Sequence, residues 1–205
     1  MEDASIYKTE LFSSLLEEAK DKNIFEQRTL RAIDWYKSRV FELVGPREIE
    51  PTDIVKDKSR NSSPEIGGIF MFQYDPKHKN TLSYYDTNPL VLVIDQNQDG
   101  FMGLNFHYIR NMHKALLLNA LYNYEVYSIK HKETIINISY NVLKSASALR
   151  YYKPTLKRYL YKNMIGSFSY RVHPSEWPLA LFLPTQNFMK ASYSEVLKNS
   201  SRMIK

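Results

Sequence analysis

The segment from Arg150 to Lys162 holds the residues whose types and spacing best fit a chemical task, the binding of nucleic acid. It mixes cations with tyrosines, and the candidate binding residues are Arg150, Tyr151, Tyr152, Lys153, Lys157, Arg158 and Lys162. Basic groups neutralise phosphates and release counterions, while tyrosine rings can stack on unpaired bases. The alternative is that the tyrosines face a hydrophobic core and the cations are only solvated. The sequence leaves both interpretations open.

The charge of the chain is unevenly distributed. The formal net charge is +6, yet residues 142–205 carry eleven basic and two acidic residues. The preceding 141 residues carry 17 basic and 20 acidic ones, a net charge of −3. Such asymmetry favours a polyanion or an acidic protein surface as partner, although a solvated basic helix would account for it equally well.

Carboxylates raise the hypothesis of a two-metal nuclease, which needs them clustered: Asp75, Asp86, Asp95 and Asp99. The acidic-x-Lys pattern of such enzymes is present only as Asp75-Pro76-Lys77, where the proline makes a poor scaffold. The run from Asp95 to Gly100 also resembles the start of a calcium loop. The twelfth position, which must supply a bidentate carboxylate, is Phe106. We therefore interpret Asp95–Gly100 as a hairpin turn, with Asp and Gly in special backbone conformations.

Other catalytic signatures are absent from the sequence. There is no cysteine, which excludes disulfides, thiolate zinc sites and a cysteine nucleophile. Glycine-rich phosphate loops, GxSxG elbows and HExxH helices are also missing. His107 and His113 are the closest useful histidine pair, but no carboxylate completes a metal site, and His107 fits a buried, hydrogen-bonded core residue. We expect no enzymatic activity and no cofactor.

The length and composition indicate a folded chain with a real core, since it has 205 residues of which 43 % are hydrophobic. No apolar run is long enough to cross a bilayer, and the polar N-terminus does not resemble a secretory signal. We therefore expect a protein made in a cytoplasm, with no membrane partner.

The periodicity of apolar residues predicts helices on both sides of a central β-region. Residues 1–44 form the predicted N-terminal helical segment, and 45–65, with three prolines, an extended arm or linker. Further predicted helices are Ile109–Ile129, Thr134–Ala148, Thr155–Met164 with Pro154 in its first turn, and Phe188 to the end.

The central β-region has three predicted strands, Ile69–Tyr74, Leu90–Ile94 and Phe101–Tyr108, with a long polar loop at Asp75–Asn88. Their order suits a small SH3-like barrel, and Ser167–Val172 with Trp177–Leu183 adds a possible strand pair. The predicted fold class is α+β: this barrel, flanked by N-terminal and central helices, with a C-terminal α/β segment. Residues 66–192 form the predicted core and 193–205 a C-terminal tail.

Short aromatic motifs distinguish residues 66–192. They are Gly68–Lys79, Thr81–Asp86, Pro89–Val91, Gly100–Tyr108, Ser139–Ser147, Tyr152–Tyr159, Glu176–Trp177, Leu181–Pro184 and Phe188–Ala191. With them the chain resembles a family of tailed bacteriophages, of the T-even type and their marine relatives, whose members are labelled DNA end protector proteins. The chain departs from the family pattern at Ser83, where proline is frequent.

The resemblance implies a virion structural protein that acts late in assembly in the host bacterial cytoplasm. It implies binding to the packaged DNA end at the head–tail junction, shielding from exonuclease, neighbouring virion proteins as partners, and no catalytic residues. The alternative is a tail or baseplate component that contacts only protein. In that case the arm at 45–65 would order against another subunit, and Asp75–Asn88 would be an interface.

Overall fold

The structure is a computed structural model. It describes residues 17–18, 21–22, 38, 63–117, 152–172, 180–181 and 185–204, without the side chains of residues 167 and 168. Residues 17–18, 21 and 38 are helical, as predicted for the N-terminal segment 1–44. The rest of the N-terminal helical segment, nearly all of the arm, the predicted helix Thr134–Ala148 and most of Trp177–Leu183 lie outside these residues.

The described part of the chain contains seven strands and two longer helices, besides shorter helical stretches and 3₁₀ turns. Residues 111–117 are helical (α1), and α2 covers Tyr193–Met203. The strands are β1 (Ile69–Tyr74), β2 (Tyr85–Asp86), β3 (Leu90–Asn97), β4 (Gly100–Asn105), β5 (Leu156–Leu160), β6 (Met164–Val172) and β7 (Phe188–Met189). Strands β5-β4-β3-β1-β6, in this order, form an antiparallel five-stranded sheet, and β2 pairs with β7.

The large sheet curls around an aromatic core. In a flat sheet, β1 and β5 would lie about 14 Å apart, because three strand spacings separate them. The ring centroids of Phe72 and Tyr159, on those strands, are only 5.2 Å apart. The cluster on this concave side consists of Phe70, Phe72, Tyr74, Val91, Val93, Phe101, Tyr159 and Met164. Register shifts in β1 and β3 mark irregularities of the kind that bend strands.

Side chains of the opposite parity are buried as well, among them Ile69, Leu92 and Leu104, each at most 2 % exposed. Burial on both faces explains why the strands read as continuous apolar runs rather than as an alternating pattern. The described residues therefore confirm a mixed α and β chain with a small curled sheet. They form a half-barrel and do not confirm an SH3-like barrel.

The predicted helix Thr155–Met164 is wrong. Pro154 lies in a 3₁₀ turn, Lys153–Thr155, and the next five residues form β5. Strand β5 pairs with β4 from Leu156 opposite Leu104 to Leu160 opposite Gly100. The local sequence is compatible with a helix, but pairing with β4 and stacking of Tyr159 on Phe101, with centroids 5.4 Å apart, select the strand.

Smaller differences concern the ends of elements. The predicted strand Phe101–Tyr108 ends at Asn105 and continues as a 3₁₀ turn, Phe106–Tyr108. Strand β6 pairs with β1, and residues 180–181, the described part of the predicted partner segment Trp177–Leu183, are helical rather than extended. The last helix begins at Tyr193 rather than Phe188, after a capping box in which Ser192 and Glu195 bond each other's backbone amides.

The hairpin at Asp95–Gly100 forms as predicted, but its backbone differs from the prediction. Asn97 lies opposite Gly100, and the Asn97 Oδ1 atom accepts hydrogen bonds from the amides of Asp99 and Gly100. Neither Asp99 nor Gly100 has a positive φ angle. Glycine is needed at position 100 for close packing against β5, because a Cβ atom there would lie 1.9 Å from the carbonyl oxygen of Tyr159.

Candidate nucleic-acid interface

Strand β5 and the two 3₁₀ turns that flank it carry four of the seven predicted binding residues, and a fifth, Tyr152, directly precedes the first turn. The other two, Arg150 and Tyr151, lie outside the described residues. Lys153, Arg158 and Lys162 are exposed, and we call these three residues the basic edge. Among the described strands, β5 is at the margin of the sheet. The basic edge therefore follows one rim of the half-barrel, with Arg158 on the strand and Lys153 and Lys162 on the flanking 3₁₀ turns, and not on the predicted helix.

Lys157 faces the opposite side of β5 from Arg158. Its ammonium lies 4.3 Å from the ring centroid of Tyr108, a cation–π contact. Burial lowers the pKa of Lys157, because the charged form loses its water. A helix would place Lys153 and Lys157 on one side, but this spacing does not apply to a strand.

Two of the three described tyrosines of the segment, Tyr152 and Tyr159, point into the protein, while Tyr161 is half-buried against the aromatic core. Tyr152 is 7 % exposed and Tyr159 is 5 % exposed. Burial raises the pKa of Tyr152 to about 12. The Tyr159 hydroxyl accepts a hydrogen bond of 3.1 Å from the Asn105 amide. These contacts favour the core interpretation for both residues, because neither ring is available to stack on a base.

The first part of the β1–β2 loop adjoins the basic edge. The amide of Asp75 donates to the carbonyl oxygen of Asn163 at 3.0 Å, and the Asn163 side-chain amide donates to the Asp75 carbonyl at 2.8 Å. Lys77, His78 and Lys79 in this loop are exposed. The sequence predicts a polar loop here, with a protein interface as the alternative. The run Lys77-His78-Lys79 beside Asp75 is the signal in the sequence for a basic surface on this loop.

Asp86 of β2 forms a buried polar network with His107 and Thr185. The His107 Nδ1 atom lies 2.6 Å from Asp86 Oδ2, and Nε2 lies 2.9 Å from the Thr185 hydroxyl. Burial would raise the pKa of the Asp86 carboxyl. His107, Asn105 and the Asn88 amide together hold it below its usual range.

The order Thr–His–Asp in this network resembles a hydrolytic triad. His107 is 0 % exposed and Thr185 is 7 % exposed, so the hydroxyl is not presented to a substrate. The network instead links β2, the 3₁₀ turn Phe106–Tyr108 and the segment before β7. The prediction that His107 is a buried, hydrogen-bonded core residue is confirmed.

The nuclease hypothesis gains no support from the positions of the aspartates. Asp75 pairs with Lys79 at 2.8 Å and Asp86 with His107, while Asp95 and Asp99 lie at the exposed hairpin. Within the described ranges, no three histidine or acidic side chains lie close enough to hold a metal ion. Likewise, none of the helices in the described part is long and apolar enough to span a bilayer.

Comparison with known proteins yields one family. The family model described as phage T4 terminal DNA protecting protein matches residues 51–200. No curated protein and no solved structure matches the chain. The matched residues include all seven strands and the basic edge, and they cover more than half of the chain. The chain therefore belongs to the family of phage T4 terminal DNA protecting proteins.

Proposed function

We propose that this protein is a structural component of a phage particle that binds the ends of the packaged double-stranded DNA and shields them from exonucleases. The observation that carries the proposal is the exposed basic edge on the rim strand β5 and its two flanking turns, within the residues that match the family. In the assembled particle we place the protein at the head–tail junction, in contact with neighbouring virion proteins. Its action is binding, with no chemical step.

The charges of the basic edge are available to a ligand. Within the described part of the chain, Lys153, Arg158 and Lys162 have no acidic partner, whereas Arg171 on β6 pairs with Glu65. From residue 153 to 162 the backbone extends over roughly 20 Å, about six base pairs of duplex at 3.4 Å each. Three cations along that length can neutralise phosphates on one face of a DNA end.

Contacts to phosphate groups also suit the protection of DNA ends. They fix a protein on the duplex without reading bases, so binding does not depend on the terminal sequence. The buried Tyr152 and Tyr159 argue against a platform for unpaired bases on this segment, and therefore for contact with the duplex backbone. On this rim of the curled sheet, the side chain of Arg158 is exposed, as such contact requires.

The test is protection of linear duplex DNA from a processive double-strand exonuclease. We expect the wild-type protein to slow degradation from the ends. The variant Lys153→Ala/Arg158→Ala/Lys162→Ala should bind on the order of 100-fold more weakly at 0.1 M salt, with a salt slope smaller by about 2.7, because three counterion-releasing contacts are lost. Lys198→Ala/Arg202→Ala, which removes exposed cations of α2, is the control and should protect normally.

The competing function is a tail or baseplate component that contacts only protein. Wild-type protein that neither binds nor protects DNA ends at low salt would favour that function and overturn ours. Equal protection by the triple variant and the wild type would show that DNA binds elsewhere on the chain.

A further inference from the structure

The loop between β1 and β2 is exposed but well braced. Side chains 77–83 are all exposed. The amides of Thr81 and Leu82 each donate to the His78 carbonyl at 3.0 Å, and the Lys79 amide donates to the Pro76 carbonyl at 3.1 Å. The Lys79 ammonium contacts both carboxylate oxygens of Asp75 at 2.8 and 2.9 Å. A loop braced in this way presents its remaining side chains in fixed positions.

Lys190, which follows β7, holds the loop from the other side. Its ammonium donates to the carbonyl oxygens of Lys79, Asn80 and Leu82 at 2.6, 3.2 and 3.1 Å. An ammonium has three donors, so these bonds account for all of them. We call this arrangement the Lys190 clamp.

The backbone of Lys190 is strained. Its φ angle is 69°, in the left-handed region that side chains other than glycine, asparagine and aspartate rarely adopt. Such strain persists only where the surroundings enforce it, and it is a reason to look for function. The residue kept in this conformation fixes an exposed basic loop and fills no space in the core.

The clamped loop begins next to the basic edge. The two hydrogen bonds between Asp75 and Asn163 join the start of the loop to the turn Tyr161–Asn163, which carries Lys162. In addition, the Tyr74 hydroxyl accepts a hydrogen bond from the Leu160 amide at 3.1 Å. Lys77 is two residues beyond Asp75. The loop therefore continues the positive surface that starts on β5.

We propose that the clamped loop is a second phosphate-contacting part of the DNA surface. In it, Lys77 contacts the DNA backbone beside the site of Lys162. Lys190 acts as a positioning residue that keeps the loop ordered before DNA arrives. This inference rests on the proposed function, because it assigns a further contact to the same duplex ligand. A loop that is already ordered loses little conformational freedom on binding, which favours affinity.

The experiment measures the affinity of the full chain for a blunt-ended duplex between 50 and 300 mM salt. We expect Lys77→Ala to weaken binding by about 5- to 10-fold at 0.1 M salt and to lower the salt slope by about one, as a lost phosphate contact requires. Lys190→Met should weaken binding by about 3- to 10-fold through loop ordering, with the slope unchanged, since its charge is held inside the clamp.

Two further measurements separate positioning from general effects. Hydrogen exchange at the Thr81 and Leu82 amides should accelerate in Lys190→Met and stay as in the wild type in Lys77→Ala. Lys198→Met removes an exposed cation on α2 and should change neither affinity nor slope. A Lys190→Met slope that falls as in Lys77→Ala would show direct DNA contact and overturn the positioning role.

The inference about the loop and the proposed function of the basic edge can be overturned separately. If Lys77→Ala binds like the wild type while the triple variant of the basic edge loses binding, the inference is overturned and the proposed function stands. If the wild-type protein binds no duplex at low salt, both are overturned.

Discussion

At the scale of single residues, Asp86 is the most constrained group described. It is 4 % exposed and accepts hydrogen bonds from the Asn105 side chain and from the amides of Asn88 and Asn187. It also pairs with His107 at 2.6 Å. A buried carboxylate with several donors is a stable anion, and removing one member of such a network leaves the others unsatisfied.

The first prediction follows from the lowered pKa of Asp86. Because the unfolded chain binds this proton at higher pH than the folded chain does, the stabilisation is present above about pH 4 and is lost as the pH falls through the folded-state pKa. Asp86→Asn should lower the free energy of unfolding at pH 7 by about 3 kcal/mol. It should also flatten the decline of stability below pH 4. Urea denaturation between pH 2.5 and 7 measures both effects.

Asp95→Asn is the matched control, because Asp95 is exposed at the hairpin. We expect a change within about 0.5 kcal/mol and an unaltered acid profile apart from the loss of one surface charge. An Asp86→Asn variant as stable as the wild type, with the same acid profile, would show that the network does not depend on the carboxylate.

At the scale of elements, the close contact between β4 and β5 sets the position of the basic edge. Gly100 lies opposite Leu160, where a Cβ atom would be 1.9 Å from the Tyr159 carbonyl oxygen and 2.9 Å from the Leu160 Cα atom. Both obstacles are backbone atoms, so they cannot turn away as a flexible side chain would. Glycine at position 100 thus allows β5 to join the sheet.

The second prediction is that Gly100→Ala destabilises the protein by about 3 kcal/mol or more, because β5 must shift to relieve the overlap. Gly166→Ala tests a different cause. Gly166 has a φ angle of 73°, so an alanine there incurs backbone strain of about 1 to 2 kcal/mol.

Thermal unfolding followed by circular dichroism compares the two variants. Gly100→Ala should also weaken DNA binding beyond Gly166→Ala at a temperature where both are folded, since the shift of β5 displaces Arg158. Equal effects of the two substitutions would argue against the steric role of Gly100.

At the scale of the whole molecule, the described cations differ in whether they contact another group of the protein. Lys157 covers an aromatic ring, Lys190 binds carbonyl groups, and Lys79 and Arg171 pair with acidic residues. Lys153, Arg158 and Lys162 have no such partners within the described ranges. Exposed positive charge in the described part therefore lies along β5, its flanking turns and the adjoining loop, and separately at Lys198 and Arg202 on α2.

The third prediction concerns the stability of the complex. A ligand that binds only the folded chain stabilises it by about 2.7 kcal/mol at a concentration of 100 Kd. For a chain of this size, that stabilisation raises the Tm by about 5–10 °C. We expect a short blunt duplex to give such a shift at 50 mM salt and little shift at 300 mM, because binding releases counterions. Differential scanning fluorimetry measures it, and a shift that does not depend on salt would contradict phosphate-dominated binding.

The sequence predicted much of the central fold. Strand β1 has the predicted ends, β3 contains the predicted run Leu90–Ile94, and β4 covers the first five residues of the predicted strand Phe101–Tyr108. His107 is buried as expected. The family was also recognised from the aromatic motifs of residues 66–192. These features depend on local signals, such as apolar runs, turn residues and motif identity, which the sequence carries directly.

The sequence by itself thus determined the family, the central strands and the segment in which cations gather. Only the tertiary structure decided that this segment is a rim strand, because β5 is selected by pairing with β4 more than fifty residues away. The tertiary structure alone also decided which cations remain exposed and that the loop between β1 and β2 lies beside them. The Lys190 clamp joins residues about 110 positions apart. Contacts over such separations leave no periodic trace in the sequence, since they form only when the sheet has curled.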